Sequence, residues 1–199
     1  MPKVLIATEN RGKLSEIQAQ LADLPAQLIC LADLEPLAQP QEIHHTFRQN
    51  ADLKALYYSN LTGLWTLADD SGLEVDALDG APGVFSARYA GPDCNHARNN
   101  AKLLGELADL PDLKRTARFR CCLSLAADGR IIARSQGLLE GRIAFTQQGQ
   151  NGFGYDPLFY VPANACTLAQ MQPEQKNAIS HRGQAVRVMK RIMLAEKLL

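Results

Sequence analysis

One short segment near the start of the chain combines a hydroxyl, an amide and a lysine between an apolar run and a helical pattern. It consists of Thr8, Glu9, Asn10, Arg11, Gly12 and Lys13. Such side chains at a helix N-terminus suit phosphate, because free backbone N–H groups and the helix dipole point there. The segment is not a P-loop, since Ala7 and Leu14 occupy the places of that motif's first glycine and its hydroxyl residue. The alternative is a capped helix start with a solvated lysine.

A second segment places two adjacent acids directly after the apolar run 64–68. It consists of Asp69, Asp70, Ser71 and Gly72. Carboxylates at the C-terminal edge of an α/β sheet lie where such folds bind ligands, and adjacent acids need a compensating cation or hydrogen-bond donors. Mg²⁺ is the expected cation, with Glu42 and Glu74 as further candidate ligands. The alternative is a turn with both acids in solvent.

A third segment brings two aromatic side chains together around a glycine. It consists of Gly152, Phe153, Gly154, Tyr155, Asp156 and Pro157. The rings could stack on a nucleic base, and Asp156 could accept a hydrogen bond from that base. A tight loop with its aromatic residues in the core is equally compatible with the pattern.

A fourth group surrounds the start of the last helical pattern. It consists of Lys176, Ser180, His181, Arg182 and Gly183. Ser180 suits an N-cap, which would place His181 and Arg182 where an anion or a carbonyl oxygen can bind. Basic residues are unfavourable at the positive end of a helix dipole, and this favours a functional role over a simple capped helix.

The predicted strands alternate with helices in the first part of the chain, whereas two later strands pair as a hairpin. We predict strands over 4–7, 28–31, 64–68, 73–78, 117–126 and 131–139, and helices over 14–24, 46–61 and 95–107 and after Ser180. Asp128-Gly129 is typical of a hairpin turn between the last two strands. The segments 32–45 and 149–156 read as irregular. This order predicts an α/β fold with a mixed sheet, organised as a single domain over 1–199.

Charge and composition exclude several classes of protein. The 199 residues carry 21 Lys+Arg and 21 Asp+Glu, and this zero net charge argues against a nucleic-acid or acidic-membrane binder. The basic residues Arg187, Lys190, Arg191 and Lys197 fit the solvated face of the last helix. The acids concentrate in the first half and the bases in the second, a division that would suit a metal bound to a polyanion. No run approaches the roughly 20 apolar residues of a membrane span.

The cysteines and the N-terminal residues indicate the cellular compartment of the protein. Five cysteines, an odd number with no Cys-x-x-Cys spacing, argue against a disulfide framework or a structural zinc site. The apolar run 4–7 is too short for a signal-peptide core. We therefore predict a cytoplasmic protein with reduced thiols.

Six motifs follow one another from Val4 to the last helix. They are Thr8-x-Asn10-x-x-Lys13, Thr46-Phe47-x-x-Asn50-Ala51-x-x-Lys54-Ala55, Ala68-Asp69-Asp70-Ser71-Gly72-Leu73, Gly80-Ala81-Pro82-Gly83-Val84-Phe85-Ser86-Ala87-Arg88-Tyr89, Gly152-Phe153-Gly154-Tyr155-Asp156-Pro157 and Ser180-His181-Arg182-Gly183. In this order they resemble the inosine triphosphate pyrophosphatase family. The resemblance implies an elongated mixed α/β sheet flanked by helices, two lobes around a cleft, and a homodimer. It also implies Mg²⁺-dependent hydrolysis of inosine, deoxyinosine or xanthosine triphosphate to the monophosphate and pyrophosphate.

The resemblance also implies roles for individual residues. Asp70 would be the general base and a magnesium ligand, with Asp69 and Glu42 as further ligands. The phosphates and sugar would be held by Thr8, Asn10, Lys13, Ser71 and Lys176, with Glu9, Arg11 and Gly12 in the same segment. The base pocket would consist of Phe153, Gly154, Tyr155, Asp156, His181 and Arg182. Donors near His181 and Arg182 would select the 6-oxo group of the purine.

The sequence departs from the family pattern at three places. The family usually has Gly at Glu9, Thr-Gly at Ile43-His44, and Glu at Gln49. Glu9 adds negative charge beside the expected phosphate site, and Gln49 removes a carboxylate. These two residues favour one alternative, a catalytically silent nucleotide-binding regulator. A separate alternative is a related pyrophosphatase for other modified nucleotides, including pyrimidines.

Overall fold

The computed structural model describes residues 1–196, so Lys197 of the predicted basic helix face lies outside the described residues. Seven strands form one sheet in the order β2-β1-β3-β4-β5-β6-β7. They are β1 (Lys3–Ile6), β2 (Gln27–Cys30), β3 (Trp65–Val75), β4 (Thr116–Ala127), β5 (Arg130–Ile143), β6 (Phe159–Val161) and β7 (Cys166–Thr167). The α-helices are α1 (Arg11–Leu21), α2 (Phe47–Thr62), α3 (His96–Glu106), α4 (Pro173–Ile179) and α5 (His181–Ala195).

The chain divides into two compact units, each assembled from separate stretches of sequence. Unit 1 contains Met1–Asp70, Cys121–Gly137 and the chain from His181 onward. Unit 2 contains Ser71–Arg120 and Leu138–Ser180. Strands β3, β4 and β5 each contribute residues to both units.

Unit 1 is built on short parallel strands. Strand β1 pairs in parallel with both β2 and β3, and Ile6 lies opposite Leu67. The residues Val4, Leu5 and Ile6 are fully buried, as expected for a central strand covered on both faces. Helices α1 and α5 pack against each other and contribute buried apolar side chains to the same core cluster as β1.

Unit 2 contains the antiparallel part of the sheet. Strand β5 pairs antiparallel with β6, and β6 pairs antiparallel with β7. Helix α3 packs beside the 3₁₀ helix Gly83–Arg88, and its Leu103 and the C-cap residue Leu107 are buried in a core that includes Leu73 and Phe159. The parallel and antiparallel pairings together confirm the predicted mixed α/β sheet.

Two local predictions are confirmed by the backbone. Asp128 and Gly129 form the two-residue turn between β4 and β5 with φ values of 51° and 71°, the left-handed conformation that this type of hairpin requires. The segment 149–156 is irregular, with turns and bends and no helix or strand. Among residues 1–196, no helix is long and apolar enough to cross a membrane.

One strand prediction is wrong. The acidic pair was expected to follow the end of a strand over 64–68, with a second strand over 73–78, yet β3 runs without interruption from Trp65 to Val75. Asp69 and Asp70 therefore lie in the middle of a strand and are buried. The turn-forming composition is overridden because cationic and amide side chains from the helices reach both carboxylates.

Candidate active site

The first predicted segment is a capped helix start. Asn10 is the N-cap of α1, and its side-chain oxygen accepts a hydrogen bond of 3.0 Å from the backbone N–H of Lys13. The N–H of Asn10 in turn donates to Oγ1 of Thr8 at 3.3 Å. The cap explains the start of α1 and leaves the side chain of Lys13 available to pair with a carboxylate.

Asp69 is the centre of a buried ionic group, which we call the Asp69 cluster. Its Oδ2 lies 3.0 Å from Nζ of Lys13 and 3.5 Å from Nε of Arg182, and Arg182 also donates to Glu16. Burial alone would raise the pKa of Asp69, but the charges of Lys13 and Arg182 outweigh it and hold the pKa well below its ordinary range. Asp69 is therefore ionised and held by two cations.

Asp70 belongs to a second group, which we call the Asp70 cluster. Its Oδ2 accepts a hydrogen bond of 3.1 Å from the amide of Asn50, and its Oδ1 lies 3.5 Å from Nζ of Lys54. Lys54 also donates to Glu42 at 2.7 Å. Burial raises the pKa of Asp70 despite the opposing charge of Lys54, whereas the surrounding carboxylates raise the pKa of Lys54 against its burial. Asp70 is thus a more basic carboxylate than an ordinary aspartate.

The two acids of β3 reach different partners because of strand geometry. Successive side chains of a strand point to opposite faces of the sheet. Asp69 accordingly meets residues of α1 and α5, whereas Asp70 meets residues of α2. Adjacent carboxylates can therefore have one strongly lowered and one raised pKa, and only Asp70 has the basicity suited to proton transfer.

The donor set of the Asp70 cluster suits Mg²⁺, which is often held by one or two carboxylates together with water and substrate phosphates. Glu42 and Asp70 meet at Lys54, and a divalent cation would compensate the charge of the Asp70 carboxylate, whose pKa burial raises. Within residues 1–196 no three His, Cys, Asp or Glu side chains gather as a metal-binding group. The predicted trio with Asp69 is accordingly not brought together, because Asp69 pairs with Lys13 and Arg182.

The aromatic segment of unit 2, which we call the base loop (residues 152–157), is tied to α4 by one carboxylate. Oδ2 of Asp156 accepts a hydrogen bond of 2.8 Å from the N–H of Phe153 and another from Nζ of Lys176. Nζ of Lys176 lies 4.7 Å from the centre of the Phe153 ring. Gly152 has φ +73°, and a Cβ there would lie 2.1 Å from the Asp156 carboxylate, so this position requires glycine.

The two aromatic residues of the base loop have different environments. Tyr155 is buried, and its hydroxyl donates to the backbone carbonyl of Ser86 at 2.9 Å. Burial raises the pKa of this phenol. Phe153 is half-buried and lies beside the exposed ring of His96, with 6.4 Å between ring centres. Phe153 is therefore the more exposed of the two rings, while Tyr155 anchors the loop in the core.

The family follows from comparison with known proteins. A family model described as the Ham1 family matches residues 4–192. The chain belongs to the Ham1 family. It is 50% identical over 185 residues to the dITP/XTP pyrophosphatase of Exiguobacterium sibiricum, covering 93% of each chain. It is 48% identical over 190 residues to the dITP/XTP pyrophosphatase of Geobacter sulfurreducens, covering 96% of each chain.

Solved Ham1 structures have the same fold. A HAM1 protein from Coxiella burnetii superposes with a TM-score of 0.89 at 41% identity, covering 98% of this chain and 100% of that one. The Ham1 protein of Staphylococcus aureus gives a TM-score of 0.87 at 38% identity, covering 98% and 99% of the two chains.

The remaining predicted site residues of this Ham1 chain are distributed over both units. His181 and Arg182 are buried and belong to unit 1, whereas Phe153, Gly154, Tyr155, Asp156 and Lys176 belong to unit 2. Glu9 and Arg11 are exposed, Glu9 accepts a hydrogen bond from Gln39, and Gly12 is half-buried. Ser71, in the middle of β3, is the first residue of unit 2.

Three residues of the Ham1 chain that contact the predicted site residues have no role assigned from the sequence. Asn50 and Lys54 occur in a recognised motif but carried no role, and Glu16 was not singled out. Their four-residue spacing places Asn50 and Lys54 on one face of α2, so a polar pair on an otherwise apolar helix face was the available signal. No comparable pattern in the sequence indicates Glu16.

Proposed function

We propose that this chain hydrolyses non-standard purine nucleoside triphosphates, including dITP and XTP, to the nucleoside monophosphate and pyrophosphate. The observation that carries the proposal is the near-50% identity, over almost the whole of both chains, to two proteins named dITP/XTP pyrophosphatase. The Asp70 cluster supports it independently, since it offers a buried basic carboxylate beside lysine side chains.

Asp70 is the proposed general base. Hydrolysis at the α-phosphorus needs a water molecule that loses a proton as it attacks, and a carboxylate of raised pKa accepts that proton more readily than an ordinary aspartate. Asn50 donates to Oδ2 of Asp70, which fixes the orientation of the carboxyl group. Lys54 pairs with both Asp70 and Glu42, and its single positive charge compensates part of their negative charge.

Glu42 and Asp70 would hold the Mg²⁺, which when bound supplies neutralisation of the phosphate charge and of the leaving pyrophosphate. Lys13 and the free N–H groups at the start of α1 would bind phosphate oxygens from the protein side. The Asp69 cluster holds Lys13 in place, because Asp69 is ionised and fully buried beneath it.

Phe153 is the proposed stacking surface for the purine, and His181 is a proposed donor to its 6-oxo group. Adenine carries an amino group at that position and would leave buried donors unpaired, which can discriminate by roughly 10⁴-fold. Arg182 is engaged by Asp69 and Glu16, so its proposed contribution is to orient the start of α5 beside His181.

A substrate panel tests the proposed function. Purified protein is assayed for pyrophosphate release from inosine, deoxyinosine, xanthosine, adenosine and methylated pyrimidine triphosphates, with Mg²⁺ and with a chelator. We expect rapid Mg²⁺-dependent release from the first three and very little from the adenosine compound. Tight binding without turnover would instead identify a nucleotide-binding regulator, and equal rates on the pyrimidine compounds would identify a pyrophosphatase for modified nucleotides in general.

We also propose a homodimer in a reducing, cytoplasmic setting. The dimer rests on the family resemblance, and sedimentation or light scattering at several concentrations tests it: a constant monomer mass contradicts it. The setting is supported by five free cysteines, of which Cys121 and Cys122 are buried. Burial raises the pKa of the Cys121 thiol, which favours its unreactive protonated form.

A further inference from the structure

The first turns of α3 carry three side chains that contact the loops of unit 2. Asn99 accepts a hydrogen bond of 2.7 Å from the N–H of Ala90 and donates to the carbonyl of Ala87 at 2.9 Å. Asn100 donates to the carbonyl of Gly154 at 3.1 Å. His96 lies one helical turn before Asn100 and places its ring beside Phe153.

Asn100 is a buried polar side chain in the second turn of α3. The side chain is 3% exposed, and its Oδ1 has no hydrogen-bond partner among the residues that the structure describes. A buried polar atom without a partner destabilises a fold, and an apolar side chain of the same shape would avoid the penalty. The hydrogen bonds that the Asn100 side chain makes are those of its N–H groups, which donate to the carbonyl of Gly154 and, at 3.4 Å, to the side chain of exposed Gln147.

Gly154 immediately follows the stacking residue. Its φ of +63° is a conformation that only glycine adopts freely, and no neighbouring atom lies within 4 Å of where its Cβ would be. The carbonyl of Gly154 is therefore the point at which this permissive backbone is fixed from α3. Asp156 fixes the same loop from the other end through the N–H of Phe153.

We propose that Asn100 is a positioning residue that sets the ring of Phe153 for purine stacking, with His96 supporting the ring from the same face of α3. The inference rests on the proposed function for the identity of the ligand. Asn100 does not touch the substrate: it restricts the backbone after Phe153, so that a base meets a ring that is already oriented. Loss of the donor should weaken binding of the base and leave the phosphate site unchanged.

Two variants isolate the donor. Asn100→Leu removes both polar atoms at similar volume, and Asn100→Asp keeps an oxygen but loses the amide N–H groups. Both should raise KM for inosine triphosphate by about three- to tenfold, the effect of one lost hydrogen bond, with kcat within about twofold. Inorganic triphosphate, which has no base, serves as a competitive inhibitor, and its inhibition constant should not change. The matched control Gln147→Ala removes only the longer contact and should behave as the wild type.

The melting temperatures separate positioning from general stability. Asn100→Leu should melt within about 2 °C of the wild type, because it also removes the unpaired oxygen, whereas Asn100→Asp should melt lower. The proposal is supported if both Asn100 variants raise KM although their melting temperatures differ. A parallel rise in KM and in the inhibition constant, or an unchanged KM, overturns it.

A fluorescence measurement tests the inference without any substrate. Trp65 is the only tryptophan, so a Trp65→Phe, Phe153→Trp protein reports on the base loop alone. Adding Asn100→Leu should lower the anisotropy of the introduced indole, and adding Gln147→Ala should not. If the wild-type protein fails to hydrolyse the substrate panel but the anisotropy falls as expected, the proposed function fails while the positioning role stands. An unchanged anisotropy overturns the positioning role itself.

Discussion

The two units of the molecule satisfy their buried polar groups in different ways. In unit 1, Asp69 and Asp70 are each held by oppositely charged side chains. In unit 2, the fully buried Arg115 donates to the backbone carbonyls of Leu107, Ile143 and Ala144, and its guanidinium lies 4.4 Å from the centre of the Phe145 ring.

The base loop of unit 2 also has side-chain hydrogen bonds to backbone carbonyls. Besides the ion pair of Asp156 with Lys176, its side-chain contacts include the amide of Asn100 and the hydroxyl of Tyr155, each of which donates to a backbone carbonyl. Paired charges suit a site for a metal and a triphosphate, because they can be rearranged around charged ligands. Neutral directional hydrogen bonds suit a site for a flat base, because they fix the orientation of a ring.

The largest expected effect is on catalysis in unit 1. Asp70→Asn should lower kcat by about 10²–10⁴-fold, because the amide cannot accept the proton of the attacking water. Its folding should be preserved, since the change removes a buried charge whose pKa is already raised by burial. Pyrophosphate release and urea unfolding are the measurements. Asp52→Asn, which alters the ion pair between Asp52 of α2 and Arg134 of β5, is the control and should retain activity within about twofold.

The second effect is on the stability of unit 1. Arg182→Met should destabilise the protein by about 3–5 kcal/mol, because Asp69 and Glu16 lose a buried partner. Arg134→Met removes a half-exposed partner of Asp52 and should cost less than about 1 kcal/mol. Urea unfolding of both variants provides the comparison. If the two variants lost the same unfolding free energy, burial would not determine how strongly an ion pair stabilises this unit.

The third effect tests the carbonyl-bound cation of unit 2. Arg115→Lys keeps the charge but cannot donate to three carbonyls from one planar group, so we expect a loss of about 2 kcal/mol. Urea unfolding measures it, and Arg118→Lys, at a partly exposed surface pair, is the control. If Arg115→Lys lost no more unfolding free energy than Arg118→Lys, a positive charge alone would be sufficient at position 115, and the directional hydrogen bonds would not be required.

The smallest effect concerns pH. Burial would raise the pKa of Asp52, but hydrogen bonds from Arg134 and Ser124 outweigh it and lower the pKa below its ordinary value of 3.8. A lowered pKa stabilises the fold above the unfolded value, and that stabilisation disappears as the pH falls through the folded value. The unfolding free energies of wild type and Asp52→Asn should therefore differ by up to about 1 kcal/mol near neutrality, and the difference should shrink as the pH falls below 3.8. A difference that persists in acid would contradict the ion-pair explanation.

The local elements followed closely from the sequence where apolar pattern and turn chemistry agreed. The buried strand β1, the Asp128-Gly129 hairpin and the helix after Ser180 are examples. The continuation of β3 through Asp69 and Asp70 did not follow from the sequence. Considered locally, an Asp-Asp-Ser-Gly run is typical of a turn, and the side chains that stabilise it as a strand are not its neighbours in the sequence. Those partners lie far away along the chain, Lys13 and Arg182 among them.

The sequence by itself determined the Ham1 family and the mixed α/β class, and it supplied the acids, lysines and aromatic residues of the proposed site, since these depend on residue type, order and short-range spacing. Only the tertiary structure decided which acid is basic. Asp69 and Asp70 are chemically identical neighbours, and the alternation of a strand sends one to Lys13 and Arg182 and the other to Asn50 and Lys54. The pKa of a buried carboxyl group is set by the charges and solvent around it, and only the folded chain brings those together.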